Sequence, residues 1–111
     1  MSKSRKVTAS ELTQRLTLQV PIYSQDELGG AMVSWQDAPT LWAAIKPLRG
    51  SERFTDRRVQ SRNYVEIRIR WRAGVLPSYR FTQGNRVFHI LAVADVDEAG
   101  HTLEITAEEL S

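Results

Sequence analysis

Residues 64–72 read Tyr-Val-Glu-Ile-Arg-Ile-Arg-Trp-Arg, and this run constrains the fold more than any other part of the chain. Val65, Ile67, Ile69 and Trp71 fall on one parity; Glu66, Arg68, Arg70 and Arg72 fall on the other. Successive side chains of a strand point to opposite faces, so an extended 64–72 has one apolar face and one that is nearly all arginine. The apolar set is expected in the core of a β-protein. The arginine set is presented to something: nucleic acid, another subunit or water.

The rest of the chain repeats the pattern in short pieces. Leu16, Leu18, Val20 and Ile22 alternate with polar neighbours, and Pro21 inside that run points to an edge position or a bulge. Gln25-Asp-Glu-Leu-Gly-Gly30 is a polar loop with two glycines, suited to a hairpin connection. Met32–Gln36 is read as the return strand, with Asp37-Ala-Pro39 as a break after it. Thr40–Leu48 carries Leu41 and Ile45 on one side and Trp42 on the other, as in a covered strand. Further strands are expected over Tyr79–Gln83, Arg86–Ala94 (with Ile90 inside) and Thr102–Ala107 (with Leu103 and Ile105 inside). Gly84-Asn85 fits a two-residue hairpin turn with glycine first. Thr8 and Glu11 stand in capping-box spacing, which suits one helical turn near the N-terminus. Short strands separated by turns at roughly ten-residue intervals indicate an all-β fold, a small barrel of six or seven antiparallel strands. Residues 49–62 have too few apolar side chains for a buried element. Arg49, Arg53 and Arg57 are spaced for a basic stripe on a short helix, and a long loop over 50–62 fits equally.

The 111 residues make a single domain, 1–111, with 1–10 expected as a flexible basic tail. No apolar run reaches the ~20 residues of a membrane span, and no apolar signal-peptide core follows the basic N-terminus. A membrane partner is therefore not expected, and the chain is read as one made in a cytoplasm. There is no cysteine, which removes disulfides, thiolate metal sites and cysteine nucleophiles together. Charge is segregated. Residues 49–86 hold ten arginines against Glu52, Asp56 and Glu66, a net +7. Residues 87–111 hold Asp95, Asp97, Glu98, Glu104, Glu108 and Glu109 and no Lys or Arg, a net −6. Such a dipolar chain either pairs with itself or meets a partner that completes the pairing.

Catalytic constellations are absent from the sequence. His89 lies among apolar strand residues and His101 follows a turn glycine, with no metal-ligand spacing between them. Asp95-Val-Asp97-Glu-Ala-Gly100 begins like a calcium loop, but Ala99 and Thr106 stand where oxygen ligands are needed, so it is read as a hairpin turn. No nucleophile elbow or phosphate-cradling glycine pattern occurs. Neither an enzyme nor a cofactor is expected.

Three readings of the arginines remain. One is a solvated face. Another is phosphate contact, with Phe54, Tyr64, Trp71, Tyr79 and Phe81 near enough in sequence to support base stacking. The third is a heterologous subunit contact in which the basic 49–86 surface meets the acidic 87–111 surface of a neighbour. The interface residues expected on this third reading are Arg49, Arg53, Phe54, Arg57, Arg58, Arg62, Arg68, Arg70, Arg72, Asp95, Asp97, Glu98, Glu104 and Glu108.

The order of pieces resembles the tailed-phage head–tail joining family of head-closure, stopper and adaptor proteins. The residues carrying the resemblance are Leu16-Thr-Leu-Gln-Val-Pro-Ile, Gln25-Asp-Glu-Leu-Gly-Gly, Trp35-Gln-Asp and Leu41-Trp-Ala-Ala-Ile-Lys-Pro-Leu-Arg-Gly-Ser-Glu. Ile67-Arg-Ile-Arg-Trp-Arg-Ala-Gly-Val, Tyr79-Arg-Phe and Arg86-Val-Phe-His-Ile-Leu-Ala-Val-Ala-Asp follow in the same order. The resemblance implies a small barrel that forms a homo-oligomeric ring at the neck of a virion or phage-like particle, assembled in the bacterial cytoplasm. The ring would lie beneath portal or adaptor proteins and above tail terminator or tail tube proteins. It would close the DNA exit of the filled head, present the tail docking surface and touch double-stranded DNA transiently and without sequence preference. The family includes members from gene transfer agents and prophages. Its long loop, here 50–62, reaches into the connector. The alternatives are a neighbouring ring protein such as a tail terminator, or a monomeric oligonucleotide-binding barrel.

Overall fold

A computed structural model of the protein describes residues 8–48, 63–98 and 100–110. The expected loop or helix at 50–62, with Arg49, Arg53, Phe54, Arg57, Arg58 and Arg62, lies outside the described residues, as does most of the expected tail.

Six strands lie among the described residues: β1 (Gln14–Gln25), β2 (Ala31–Pro47), β3 (Asn63–Arg70), β4 (Arg80–Gln83), β5 (Arg86–Asp95) and β6 (Thr102–Leu110). Every pairing is antiparallel, and the order β1-β2-β3-β6-β5-β4 closes on itself as a barrel. A 3-10 turn at Ala9–Glu11 precedes β1, and a second at Val96–Glu98 joins β5 to β6. The first turn is capped as its spacing suggests: the Glu11 carboxylate accepts the Thr8 backbone N–H at 3.0 Å.

The core follows from alternation. In β3, Val65, Ile67 and Ile69 are buried, while Glu66 and Arg68 between them are half-buried on the outside. Leu16 and Leu18 of β1, Ala43 of β2, Phe81 of β4, Phe88 and Ile90 of β5, and Leu103, Ile105 and Ala107 of β6 fill the same interior. Leu41, Ile45, Tyr79 and Val93 pack partly buried against them. Val20 is only half-buried, because β1 leaves the barrel just after its last pairing with β4 at Gln19↔Arg80.

Two bulges decide what simple parity does not. Between Thr17↔Thr40 and Gln19↔Asp37 the ladder skips a residue on β2, at Ala38-Pro39. Pro39 has no N–H to donate, so a bulge accommodates it without a lost ladder bond. Asp37-Ala-Pro39 therefore does not break the chain. The two strands expected there are one 17-residue strand, and the count is six. The second bulge lies between Ile90↔Ala107 and Ala92↔Thr106. It puts the extra Leu91 on the surface and returns Val93 to the core side, which is why residues 87–93 read as apolar on both parities.

Trp71 is the correction to the opening strand. Its parity predicts burial, yet it is 45% exposed. β3 ends at Arg70, and although the Trp71 N–H continues the β6 register by donating to the His101 carbonyl at 2.9 Å, pairing with β2 has already stopped at Ala44↔Arg68, so no β2 ladder lies beside Trp71. The chain then bends through Gly74, whose φ of +88° favours glycine, and Val75 enters the core instead at 5% exposure.

β1 and β2 continue beyond the barrel. β1 meets β4 only through Thr17–Gln19, and β2 meets β3 only through Ala44–Pro47. Among the described residues, 20–36 consequently pair only with each other and form a two-stranded arm.

Truncation of a barrel-filling side chain separates the two classes of aromatic. Phe88→Ala, at a fully buried position, is expected to cost about 3–5 kcal/mol, and Trp71→Ala about 1 kcal/mol or less. Urea midpoints of the two variants check this, and equal losses would restore Trp71 to the core.

Candidate functional site

The arm, its tip and the place where β2 and β3 separate are the structurally distinctive surfaces. At the arm's base, Arg80 of β4 lies 4.1 Å over the Trp35 ring and donates from Nε to Gln19 Oε1 at 2.7 Å. Gln19 Nε2 in turn donates to Asp37 Oδ1 at 2.7 Å. This chain of contacts ties both arm strands to the barrel at the point where they leave it.

The tip is a tight turn organised by Asp26. Its Oδ1 accepts the N–H groups of Leu28 at 3.0 Å and Gly30 at 2.6 Å, and its backbone N–H donates to the Gly30 carbonyl at 2.8 Å. Gly29 sits at φ +87°, and a Cβ on Gly30 would meet an Asp26 carboxylate oxygen at 2.9 Å. A rigid turn therefore holds Leu28 outward at 94% exposure, beside Glu27.

β3 parts from β2 above the pair Ala44↔Arg68 while still following β6 to Arg70↔Thr102. The separation opens a groove of about 470 Å³. Ile69, Leu41 and Leu12 give it a deeper apolar lining, Trp42 and Trp71 an exposed aromatic one, and Arg70 and Arg72 its positive charge. Arg15 covers the Trp42 ring at 5.5 Å. Among the described residues, neither Arg70 nor Arg72 has an ion pair.

Among the described residues, the segregated charges meet within the chain at two places. Arg68 and Glu104 face each other across β3 and β6, and Arg68 Nη2 lies 3.1 Å from Glu104 Oε2. Glu66 is 3.7 Å from the same guanidinium. The contact with Glu104 is the main force holding Glu66 above its usual carboxylate range. Burial and repulsion by Glu104 add to it, while Arg68 and Lys46 pull the other way. Glu104 is lowered by the hydrogen bond from Glu66 and then by Arg68 and Lys46, against burial. At the other end of β6, Glu109 accepts from Arg86 Nε at 2.8 Å and Nη2 at 3.0 Å, which lowers Glu109. Arg86 also lies 4.9 Å over the Phe88 ring.

The residues expected at a subunit interface are thus dispersed. Arg68 and Glu104 are turned to one another, Asp95 accepts the Gly100 N–H at 3.2 Å, and Glu98 is exposed. Glu108 is half-buried opposite His89 on β5 and Tyr64 on β3. The Asp97 side chain lies outside the described residues. Among the described residues, only Arg70 and Arg72 of this set share a concave surface. Sequence reasoning missed the Trp42 and Leu12 contributions to that surface. It also missed Leu28, although a lone leucine in a polar glycine turn was a visible signal.

Titration separates the Glu66–Glu104 pair from an ordinary exposed ion pair. Glu66 keeps its proton to higher pH when folded, so its contribution is present at acid pH and lost as pH rises through its folded value. Glu104 contributes in the opposite window, above its usual value, and that contribution is lost as pH falls. Glu66→Gln keeps a donor toward Glu104 and removes the first loss. It is expected to gain about 0.5 kcal/mol at pH 7, a few degrees in Tm, and nothing near pH 4. Thermal melts of both proteins at the two pH values check this, and a loss at pH 7 would count against the shared proton.

A family model described as phage head completion protein matches residues 7–110. Among solved structures, a chain of the virion of a native gene transfer agent particle is 32% identical, with a TM-score of 0.69 over 89% of this chain and 96% of that one. The solution structure of protein SF1141 from Shigella flexneri 2a is 25% identical, also with a TM-score of 0.69, over 93% of this chain and 96% of that one. The comparison with curated proteins finds no match. The family match runs through all six strands, from the turn before β1 to the end of β6, and the chain belongs to the phage head completion protein family.

Proposed function

We propose that the protein is a structural subunit of the neck of a phage-like particle. In this reading it forms a homo-oligomeric ring under the portal or its adaptor, closes the DNA exit of the filled head and presents the surface on which the tail docks. Its match to the head completion family over residues 7–110 is the observation that carries this, and its likeness to a chain of a gene transfer agent virion adds support. The geometry suits a structural part. A closed barrel is a rigid body, and the arm and the groove are the features it offers to neighbours. Portal or adaptor proteins above and tail terminator or tail tube proteins below are the proposed partners, with assembly in the bacterial cytoplasm. Contact with DNA in the channel is transient and sequence-independent, as phosphate contacts by arginine are.

Deletion of the gene in cells that produce the particles is the direct test. It is expected to leave DNA-filled heads without tails, and imaging of native particles should place the protein in a ring at the neck. Tailed particles in normal yield from the deletion strain, or purified particles lacking the protein, would overturn the reading.

A further inference from the structure

Apolar surface is concentrated in two places. Of the ten large hydrophobic residues exposed among the described residues, Ile22, Tyr23, Leu28, Met32 and Val33 lie on the arm or its tip, and Trp42 and Trp71 line the groove. The tip projects, the groove is concave, and the two carry opposite charge. The tip offers one projecting leucine flanked by Asp26 and Glu27, on a turn that Asp26 holds fixed. The groove offers two exposed indoles with Arg70 and Arg72 beside them.

They cannot meet within one chain. β2 runs as a single strand from Ala31 at the tip to Trp42 at the groove, and at ~3.3 Å per residue this separates them by roughly 35 Å. We propose that the occupant of the groove is the arm tip of a second copy: Leu28 inserts between Trp42 and Trp71 of its neighbour, and Glu27, with Asp26, faces Arg70 and Arg72. This rests on the ring reading above and supplies its subunit contact. Each copy has one tip and one groove at separate places, so the contact is heterologous and propagates head to tail until rotation closes it. The acid–arginine pairing sets which way round the tip enters, and the leucine supplies burial.

The absence of cysteine permits a clean test. Glu27→Cys and Arg72→Cys are combined in one gene, and particles purified from producing cells are treated with a short bismaleimide. A ladder of covalent multiples of the 12.6 kDa chain is expected, with each single variant giving only monomer. Monomer alone while the protein remains on the particle, a cross-link confined to one chain, or a cross-link to a different neck protein would each overturn the proposal.

A charge exchange covers the case in which the cysteine pair does not assemble. Glu27→Arg and Arg72→Glu are each expected to lower the yield of tailed particles at least tenfold, and the double exchange to restore it to within about threefold. A double exchange no better than the singles would also overturn the proposal. Imaging of native particles separates the two failures. A ring at the neck without the tip contact leaves the proposed function standing and removes only the arm-in-groove contact, whereas absence of the protein from the neck removes both.

Discussion

The barrel depends on a short seam. β4 has four residues and closes the sheet against β1 through only three pairs, Thr17↔Thr82, Leu18↔Phe81 and Gln19↔Arg80. Without that seam β1 and β4 would both present free strand edges, which invite pairing with other chains. Its strength comes from what flanks it. Leu18 and Phe81 are opposite each other and both buried, and beside them Gln19 and Arg80 are hydrogen-bonded on the outer face. Arg80 then reaches Trp35 on the arm, so the residues that close the barrel also set where the arm leaves it. Closure and the direction of the projection are one piece of structure.

Much of this was legible in the sequence, and the parts that were not have a common cause. β3 and β6 alternate without interruption, and Val65, Ile67, Ile69, Leu103 and Ile105 are found in the core, where their parity puts them. Parity fails wherever one strand takes an extra residue. The bulge at Ala38-Pro39 joins two runs that a proline and a polar cluster seemed to separate, and the bulge at Leu91 exchanges inside for outside within β5. Trp71 fails for a related reason: a strand's end is set by its partners, here β2 and β6, whose pairing with β3 stops at Ala44↔Arg68 and Arg70↔Thr102, and no local pattern announces it.

Charge was legible as composition but not as contact. The basic middle and the acidic end suggest complementary surfaces on different subunits. Folding brings β3 and β6 side by side and spends part of that complementarity inside the chain, at Arg68–Glu104, while Arg86 meets Glu109 across β5 and β6. Half-exposed pairs of this kind add only about 0–1 kcal/mol each, so their consequence is less for stability than for what they leave over. Arg70 and Arg72, at the end of β3 and just past it, have no acidic partner among the described residues. The arginine face of the opening strand divides there into a paired portion on the sheet and an unpaired portion at the groove.

A closed sheet also limits how such a subunit can associate. Addition of a strand from a neighbour needs an open edge, and among the described residues the ladders leave edges open along the arm, where β3 departs from β2, and on β5 beyond its last pair with β4, Arg80↔His89. The arm and the β2–β3 separation are also where most of the large exposed apolar side chains lie, and the coincidence has a physical origin. A strand that leaves the barrel loses the interior that would have covered its apolar residues, and a strand that parts from its neighbour uncovers the side chains between them. Ile22 and Met32 point from strand positions with no core beneath them, and Trp42 and Trp71 flank a gap that β3 no longer fills. Exposure of this kind is tolerable in a monomer and productive in an assembly, because it concentrates adhesion on two defined surfaces.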